Sequence, residues 1–242
     1  MRLHSTEERL NLGKWTRREL DEILRRGAAN ASTGRRIAFL SSQFLTIPYG
    51  ECTLIGGSTK PEVFTIDLEA VDCFTYIDYV EAMRRSFSFA SFKQNLRRVR
   101  YRGGRIAFAT RKHFFTDWAA RGPRISDVTA AVGGKHARKM RKMLNVGSGG
   151  THIVAGLPPV PRDVTFIPRR FVANAAGRLK TGDYIGIYSE AEGLDVSHVG
   201  ILIRKNARLF MRHASSVERK VVDQDFSRYT ASKPGIIVLR PA

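Results

Sequence analysis

Val63-Phe64-Thr65-Ile66-Asp67-Leu68 alternates apolar and polar residues, the period of a short extended strand. Phe74, Ile77, Val80 and Met83 then recur at helical spacing, with Tyr76 alongside them. The chain therefore changes from strand to helix within Val71-Asp72-Cys73-Phe74-Thr75-Tyr76, and Cys73 falls in the first turn of a buried amphipathic helix. Upstream, Ser5 with Glu8 and Thr16 with Glu19 have the spacing of capping boxes and predict two N-terminal helices, the second with Leu20, Ile23 and Leu24 on its apolar side. Ile37 to Leu45 predicts a further short helix, and Thr46 to Gly50 a turn or extended lead into the region of Cys52. From Lys180 the pattern becomes short strands between turns: Tyr184–Tyr188, Ser197–Arg204, Arg208–His213, Lys220–Val222 and Gly235–Arg240. Helices first and closely connected strands last predict an α+β fold, with N-terminal helices packed on a C-terminal antiparallel sheet of about five strands.

A chain of 242 residues with 43% hydrophobic content can bury a substantial core and is read as one domain over residues 37–242, preceded by a helical extension over 1–36. Residues 133–161, rich in glycine, lysine, arginine and proline, read as a surface insertion. The net charge of +19 points to an anionic partner: nucleic acid, anionic lipid or an anionic cell-envelope polymer. Residues 84–112 hold ten Lys or Arg and no carboxylate, with Phe87, Phe89, Phe92, Tyr101 and Phe108 interleaved. Such a segment suits single-stranded nucleic acid. It equally suits a helix and strand whose aromatics are core and whose charges are solvated, the reading favoured by the lack of a compact RNA-binding signature. No run approaches the roughly 18 apolar residues of a membrane span. The first residues lack the apolar stretch of a secretory signal, so the expected location is the periplasm or cell envelope with the leader not in this chain, or the cytoplasm if the chain is full length and unexported.

Cys73 carries the candidate chemistry. Free amides and the positive dipole end of a helix favour a thiolate and can donate to an oxyanion. An ordinary buried cysteine is the alternative. Two cysteines make no disulfide framework, and a free Cys73 thiolate leaves Cys52 without a partner. A second feature favours chemistry. If Lys205-Asn206 is a two-residue loop, His198 lies directly opposite His213 on one face of a hairpin, with β-carbons roughly 5 Å apart. A cysteine at a helix start and a histidine whose second ring nitrogen is held by a polar neighbour follow the nucleophile, base and orienter logic of cysteine hydrolases. Zinc bound by Cys and two His is the competing reading, without an evident fourth ligand. Arg111-Lys112-His113-Phe114-Phe115-Thr116-Asp117-Trp118 concentrates polar groups beside aromatics, as a cleft wall does.

Asp72-Cys73, Ser197-His198-Val199-Gly200-Ile201 and His213-Ala214-Ser215-Ser216 resemble the three signatures of the NlpC/P60 superfamily of papain-like cell-wall hydrolases. The finer resemblance is to its DUF1460 branch, through Pro48-Tyr49, Asp72 to Ile77, Arg100-Tyr101-Arg102-Gly103-Gly104, Arg111 to Trp118, Gly182 to Ile187 and Gly235 to Pro241. It spans most of the chain from about Ile37 onward. The resemblance implies a cysteine amidase cleaving the N-acetylmuramoyl-L-alanine bond of peptidoglycan. It assigns Cys73 as nucleophile, His198 as base and His213 as orienter. Tyr49, Asp72, Arg111, His113, Asp117 and Ser197 are the candidate substrate-binding residues. Phe74-Thr75 stands where the wider superfamily usually has Ser-Gly, which weakens the case for γ-D-glutamyl endopeptidase specificity. The expected partners are peptidoglycan or muropeptides and an anionic envelope surface, with no cofactor, no metal, no specific nucleic acid, and a monomeric state. A stem-peptide endopeptidase and a non-enzymatic polyanion-binding protein are the alternative functions.

Overall fold

Thr16 opens the first helix by a reciprocal cap: its hydroxyl accepts from the Glu19 amide at 3.2 Å while the Glu19 carboxylate accepts from the Thr16 amide at 2.7 Å. The computed structural model, which describes residues 7–120 and 124–242, continues from there into α1 (Arg17–Ala28) and α2 (Thr33–Ser42). The helix expected from Ser5 and Glu8 is not formed. Ser5 lies outside the described residues, and Glu8 begins a strand, β1 (Glu8–Asn11), which pairs in parallel with β2 (Phe64–Asp67). Pairing with a distant strand overrides the local cap signal, which costs little to forgo at an exposed position.

α3 (Cys73–Arg84) is buried almost all round, and its polar residues are buried with the apolar ones. Asp78 and Glu81 remain inside because each has a cation. Arg100, on α4 (Phe89–Arg100), reaches Asp78 Oδ2 at 3.0 Å and donates to the Thr65 carbonyl of β2 at 2.6 Å. Glu81 binds Arg84 and accepts from the Tyr184 hydroxyl at 2.8 Å, which ties α3 to the sheet. A buried pair of this kind fixes geometry more than it adds stability, but removing one partner would leave a charge stranded.

The sheet comprises β3 (Ile125–Asp127), β4 (Arg138–Leu144), β5 (Val160–Pro168), β6 (Tyr184–Tyr188), β7 (Val196–Lys205), β8 (Arg208–Ser215), β9 (Lys220–Asp225) and β10 (Gly235–Pro241). Its order is β4-β5-β10-β6-β7-β8-β9, with β3 added beside β10 and every neighbouring pair antiparallel. The five expected strands are present, but the sheet has eight. The stretch expected as a surface insertion carries β4, which pairs along its whole length with β5.

Alternation along the strands separates two cores. Tyr184, Val199, Ile201, Ile203, Ala214, Ile237 and Leu239 face α1 to α4. Ile185, Ile187, Leu202, Met211, Ile236 and Val238 face the short helices α5 (Thr129–Gly133), α6 (Val172–Ala175) and α7 (Phe226–Thr230). Leu20 and Leu24 of α1 share the first core with α3. In the basic segment Phe89, Phe92 and Tyr101 are buried, whereas Phe87 is 64% exposed beneath the Arg36 guanidinium. The aromatics of that segment are mostly core rather than a stacking platform for bases.

Candidate active site

Asp72 caps α3. Its Oδ1 accepts from the amides of Phe74 at 2.8 Å and Thr75 at 2.7 Å, while the Thr75 hydroxyl accepts from the Asp72 amide at 3.0 Å. Two first-turn amides are thereby committed to a carboxylate, which also sets a negative charge beside the sulfur. Burial, then Asp72, push the Cys73 thiol up to about 12, against the pull of the Val199, Cys73 and Phe74 backbone N–H groups. Burial thus works against the thiolate that a helix terminus favours. The contribution of Val199 matters for architecture, because it brings β7 against the start of α3.

The hairpin turn falls one residue later than expected, which shifts the strand pairing by two residues. Lys205 pairs with Arg208, so the loop is Asn206-Ala207, and Asn206 takes the left-handed conformation at φ 54°. Asparagine enters that region more readily than lysine, which stays in the strand. His198 is consequently not opposite His213 but diagonal to it on the same face. The two rings still meet, with His198 Nε2 2.8 Å from His213 Nδ1 and the ring planes at 88°. Gly200 makes the diagonal possible. A β-carbon there would stand 2.9 Å from the His213 Cβ and 2.8 Å from the Arg212 carbonyl oxygen.

His213 Nε2 lies 2.8 Å from Gln224 Oε1 on β9. An amide oxygen only accepts, so His213 carries its proton on Nε2. Its Nδ1 then accepts from His198 Nε2–H, and His198 Nδ1 keeps a lone pair. The relay thus sets both tautomers and leaves one nitrogen of His198 competent as a base. Both imidazoles are held neutral. Burial, followed by His213 and Lys233, lowers His198 to about 3, and burial also lowers His213.

A cleft of about 820 Å³ opens beside the pair, lined by Ser197, His198, His213, Gln224, Tyr229 and Lys233 among others. Tyr229 joins the parts of the site. Its ring centroid is 4.9 Å from that of His213 and 6.3 Å from that of His198, and burial, then the nearby Cys73, raise its phenol to about 12. Burial, then the nearby Cys73 and Asp72, raise the Tyr49 phenol, and Arg219 lies over its ring at 5.3 Å. Cys73, Asp72, Tyr49, Ser197, His198 and His213 are therefore gathered in one region.

The polar atoms of the other three candidates engage the protein itself. Arg111 Nε donates to Glu62 Oε1 at 3.0 Å, and the same oxygen accepts from the Tyr101 hydroxyl. His113 Nε2 meets the Phe108 carbonyl at 2.8 Å. Asp117 is bound to Arg162 at 2.8 Å, beside Thr116, whose amide and hydroxyl donate to the buried Asp195. The segment also packs behind the start of α3, where Trp118 stands edge-on to Phe74 and Tyr184. Gln224, Tyr229 and Lys233 were not foreseen. Gln224 carries no signal in the sequence; in the fold it stands two residues beyond Val222, the partner of His213 on β9. Among the described residues no three His, Cys, Asp or Glu side chains gather as a metal-binding group.

A family model described as AmiA-like, N-acetylmuramoyl-L-alanine amidase-like, matches residues 39–236. The chain belongs to this amidase-like family. The matched span contains Cys73, His198, His213 and Gln224. An N-acetylmuramoyl-L-alanine amidase structure from Bacteroides uniformis is similar at 28% identity and a TM-score of 0.74, covering 86% of this chain and 98% of that one. A Legionella pneumophila protein of the DUF1460 family shares the fold at 20% identity and a TM-score of 0.79, covering 93% and 94%. A Bacteroides fragilis structure provisionally named a xylanase is similar at 28% identity and a TM-score of 0.67, covering 83% and 99%. No curated protein matches the chain at a significant level. The DUF1460 resemblance read from the motifs agrees with the family to which the amidase-like chain belongs.

Proposed function

We propose that the chain is a cysteine amidase that hydrolyses the bond between N-acetylmuramic acid and L-alanine in bacterial peptidoglycan, using the papain-like arrangement of the NlpC/P60 superfamily. What supports this reading is that, in an amidase-like chain, the helix start carrying Cys73 meets the Val199 N–H, one residue after His198, whose tautomer is set by a His198–His213–Gln224 relay. As the Cys73 sulfur attacks the lactyl carbonyl carbon, its proton passes to His198 Nδ1. The oxyanion that forms is met by the Cys73 amide, the first-turn donor that Asp72 does not take. Collapse breaks the C–N bond, His198 returns the proton to the departing alanine nitrogen, and the acyl group remains as a thioester. Water, deprotonated by His198, then releases the muramic acid carboxylate and restores the thiol.

Burial raises Cys73 and lowers His198, which favours proton transfer as part of the attack over a prior equilibrium. His213 serves as the positioning residue for His198. Glycosidase chemistry would require two carboxylates flanking the bond. In this cleft Asp225 is engaged by Arg208 at 3.3 Å and by the Arg228 amide at 3.0 Å, which leaves Glu218 without a second free carboxylate among the lining residues. The substrate places the site of action in the cell envelope, and the +19 charge suits retention on an anionic surface there. No helix of the described residues is long and apolar enough to cross a membrane.

Mass spectrometry of muropeptides incubated with the purified protein tests the proposal. An amidase releases intact stem peptide and peptide-free saccharide. Shortened stem peptides still attached to sugar would instead establish an endopeptidase, and products unchanged by Cys73→Ala would overturn the cysteine mechanism.

A further inference from the structure

Lys233 follows α7 and lines the cleft with both histidines. Its ammonium lies 5.3 Å from the centre of the Tyr229 ring, the ring that also adjoins His198 and His213. Lys233 forms no ion pair among the described residues, and the cleft's two carboxylates do not supply one: Asp225 binds Arg208, and Glu218 is not within salt-bridge distance. An ammonium in the same cleft as two neutral imidazoles is a poor arrangement for a resting base, because its field opposes the charge that His198 must take up. The arrangement becomes favourable once an anion occupies the cleft.

Resting on the amidase reading, the direction of the cut says where that anion lies. His198 must reach the nitrogen that leaves, so the departing peptide extends on the His198 side of Cys73, the side on which Lys233 stands. A stem peptide joined through the side chain of a D-glutamate carries a free α-carboxylate one residue beyond the scissile alanine. We propose that Lys233 binds this carboxylate, so that the site selects substrates whose leaving peptide bears a free acid next to its first residue. Binding then does two things. It orients the leaving nitrogen toward His198, and it neutralises a cation that adds to the lowering of His198 by burial and by His213. Substrate recognition and activation of His198 are thereby one event, and a small amide lacking the acid meets a weaker base.

The test compares N-acetylmuramoyl-L-alanyl-D-glutamate with its D-isoglutamine counterpart, which differs only in amidation of that carboxylate. Binding is measured by calorimetry on Cys73→Ala protein and kcat/KM on active protein, each with and without Lys233→Met. The protein with Lys233 is expected to prefer the acid by roughly ten- to a hundredfold, the size of a charge-assisted hydrogen bond. Lys233→Met should bring the preference close to one by weakening the acid alone, and Lys233→Arg should restore much of it. Lys233→Met should also raise the His198 titration observed by NMR in free protein. Turnover by wild type with equal preference before and after Lys233→Met would overturn the proposal and leave the amidase reading standing. Failure of both compounds to bind or react would overturn both.

Discussion

Replacing Gln224 by methionine should damage catalysis without touching the nucleophile or the base. Methionine preserves the length of the side chain but removes the oxygen that accepts from His213 Nε2 at 2.8 Å. His213 is 2% exposed, so that N–H would lose its partner in a nearly closed environment. Reversing the relay avoids the stranded donor. His213 would then carry its proton on Nδ1 and donate to His198 Nε2, which forces the His198 proton onto Nδ1, the nitrogen needed for the thiol. A stranded buried donor costs about 1–3 kcal/mol. At 1.36 kcal/mol per tenfold, the productive tautomer falls roughly 5- to 150-fold. The loss should appear in kcat with KM little changed, because no substrate contact is removed. Gln224→Glu supplies an acceptor and should recover activity, with the titration of His198 moved upward by the added negative charge. Muropeptide kinetics read the first effect, and ¹⁵N chemical shifts of the two imidazoles read the tautomers directly, even in inactive Cys73→Ala protein. Wild-type kcat in Gln224→Met, or a proton on His198 Nδ1 in the unmodified relay, would refute the argument.

The other expectations concern the nucleophile, the crossing of the strands and acid. Cys73→Ala should abolish hydrolysis while leaving the thermal midpoint near that of wild type, and adding His198→Ala should cost hardly any further activity because the two act as a unit; a double variant far worse than Cys73→Ala would show that they do not. Gly200→Ala drives a β-carbon to within 2.9 Å of the His213 Cβ and 2.8 Å of a carbonyl oxygen. Overpacking there should cost about 1–3 kcal/mol in denaturant unfolding and separate the two rings, so activity should fall more than stability does; an unaffected kcat would mean that the diagonal contact is dispensable. His113, His198 and His213 all titrate below the ordinary value of 6.5, with burial the first cause in each. The unfolded chain therefore binds more protons than the folded one as pH falls below about 6.5, and unfolding free energy should be level above neutrality and decline from there toward pH 4. Equal stability at pH 7.5 and pH 5 would contradict the burial of neutral imidazoles.

What could be read from the chain was what local signals determine. The start of α3 is marked by an apolar helical period and a preceding alternating strand, which agree with each other, whereas the capping role of Asp72 emerged only in the fold. The strands from Tyr184 onward announce themselves by short apolar runs between turns. By contrast, Arg138–Leu144 has the composition of a solvated loop, and it is a strand only because β5 lies beside it. That partner is a property of the assembled sheet, invisible within any window of residues. Arg111, His113 and Asp117 were legible as a dense polar group but not as one engaged by the protein itself, since their partners Glu62, Phe108 and Arg162 could be identified only after folding.

The histidine pair shows how near a local argument can come while missing the geometry. Contact between His198 and His213 was inferred from direct opposition, which required Lys205 in the turn. A single left-handed residue, Asn206, moves the turn on by one position and makes the pair diagonal. The same displacement recurs on the other side of His213, whose direct partner on β9 is Val222 while its hydrogen bond goes to Gln224. Both bonds of the relay therefore run obliquely across three strands, and the first depends on the empty position at Gly200. Because side chains alternate with period two, a diagonal of two residues keeps all three groups on one face, whereas a slip of one residue in either hairpin would send a member to the opposite core. The tautomer of His198 is thus set by strand register as much as by residue type, which is why Gln224 could be recognised as part of the site only after both hairpins were in place.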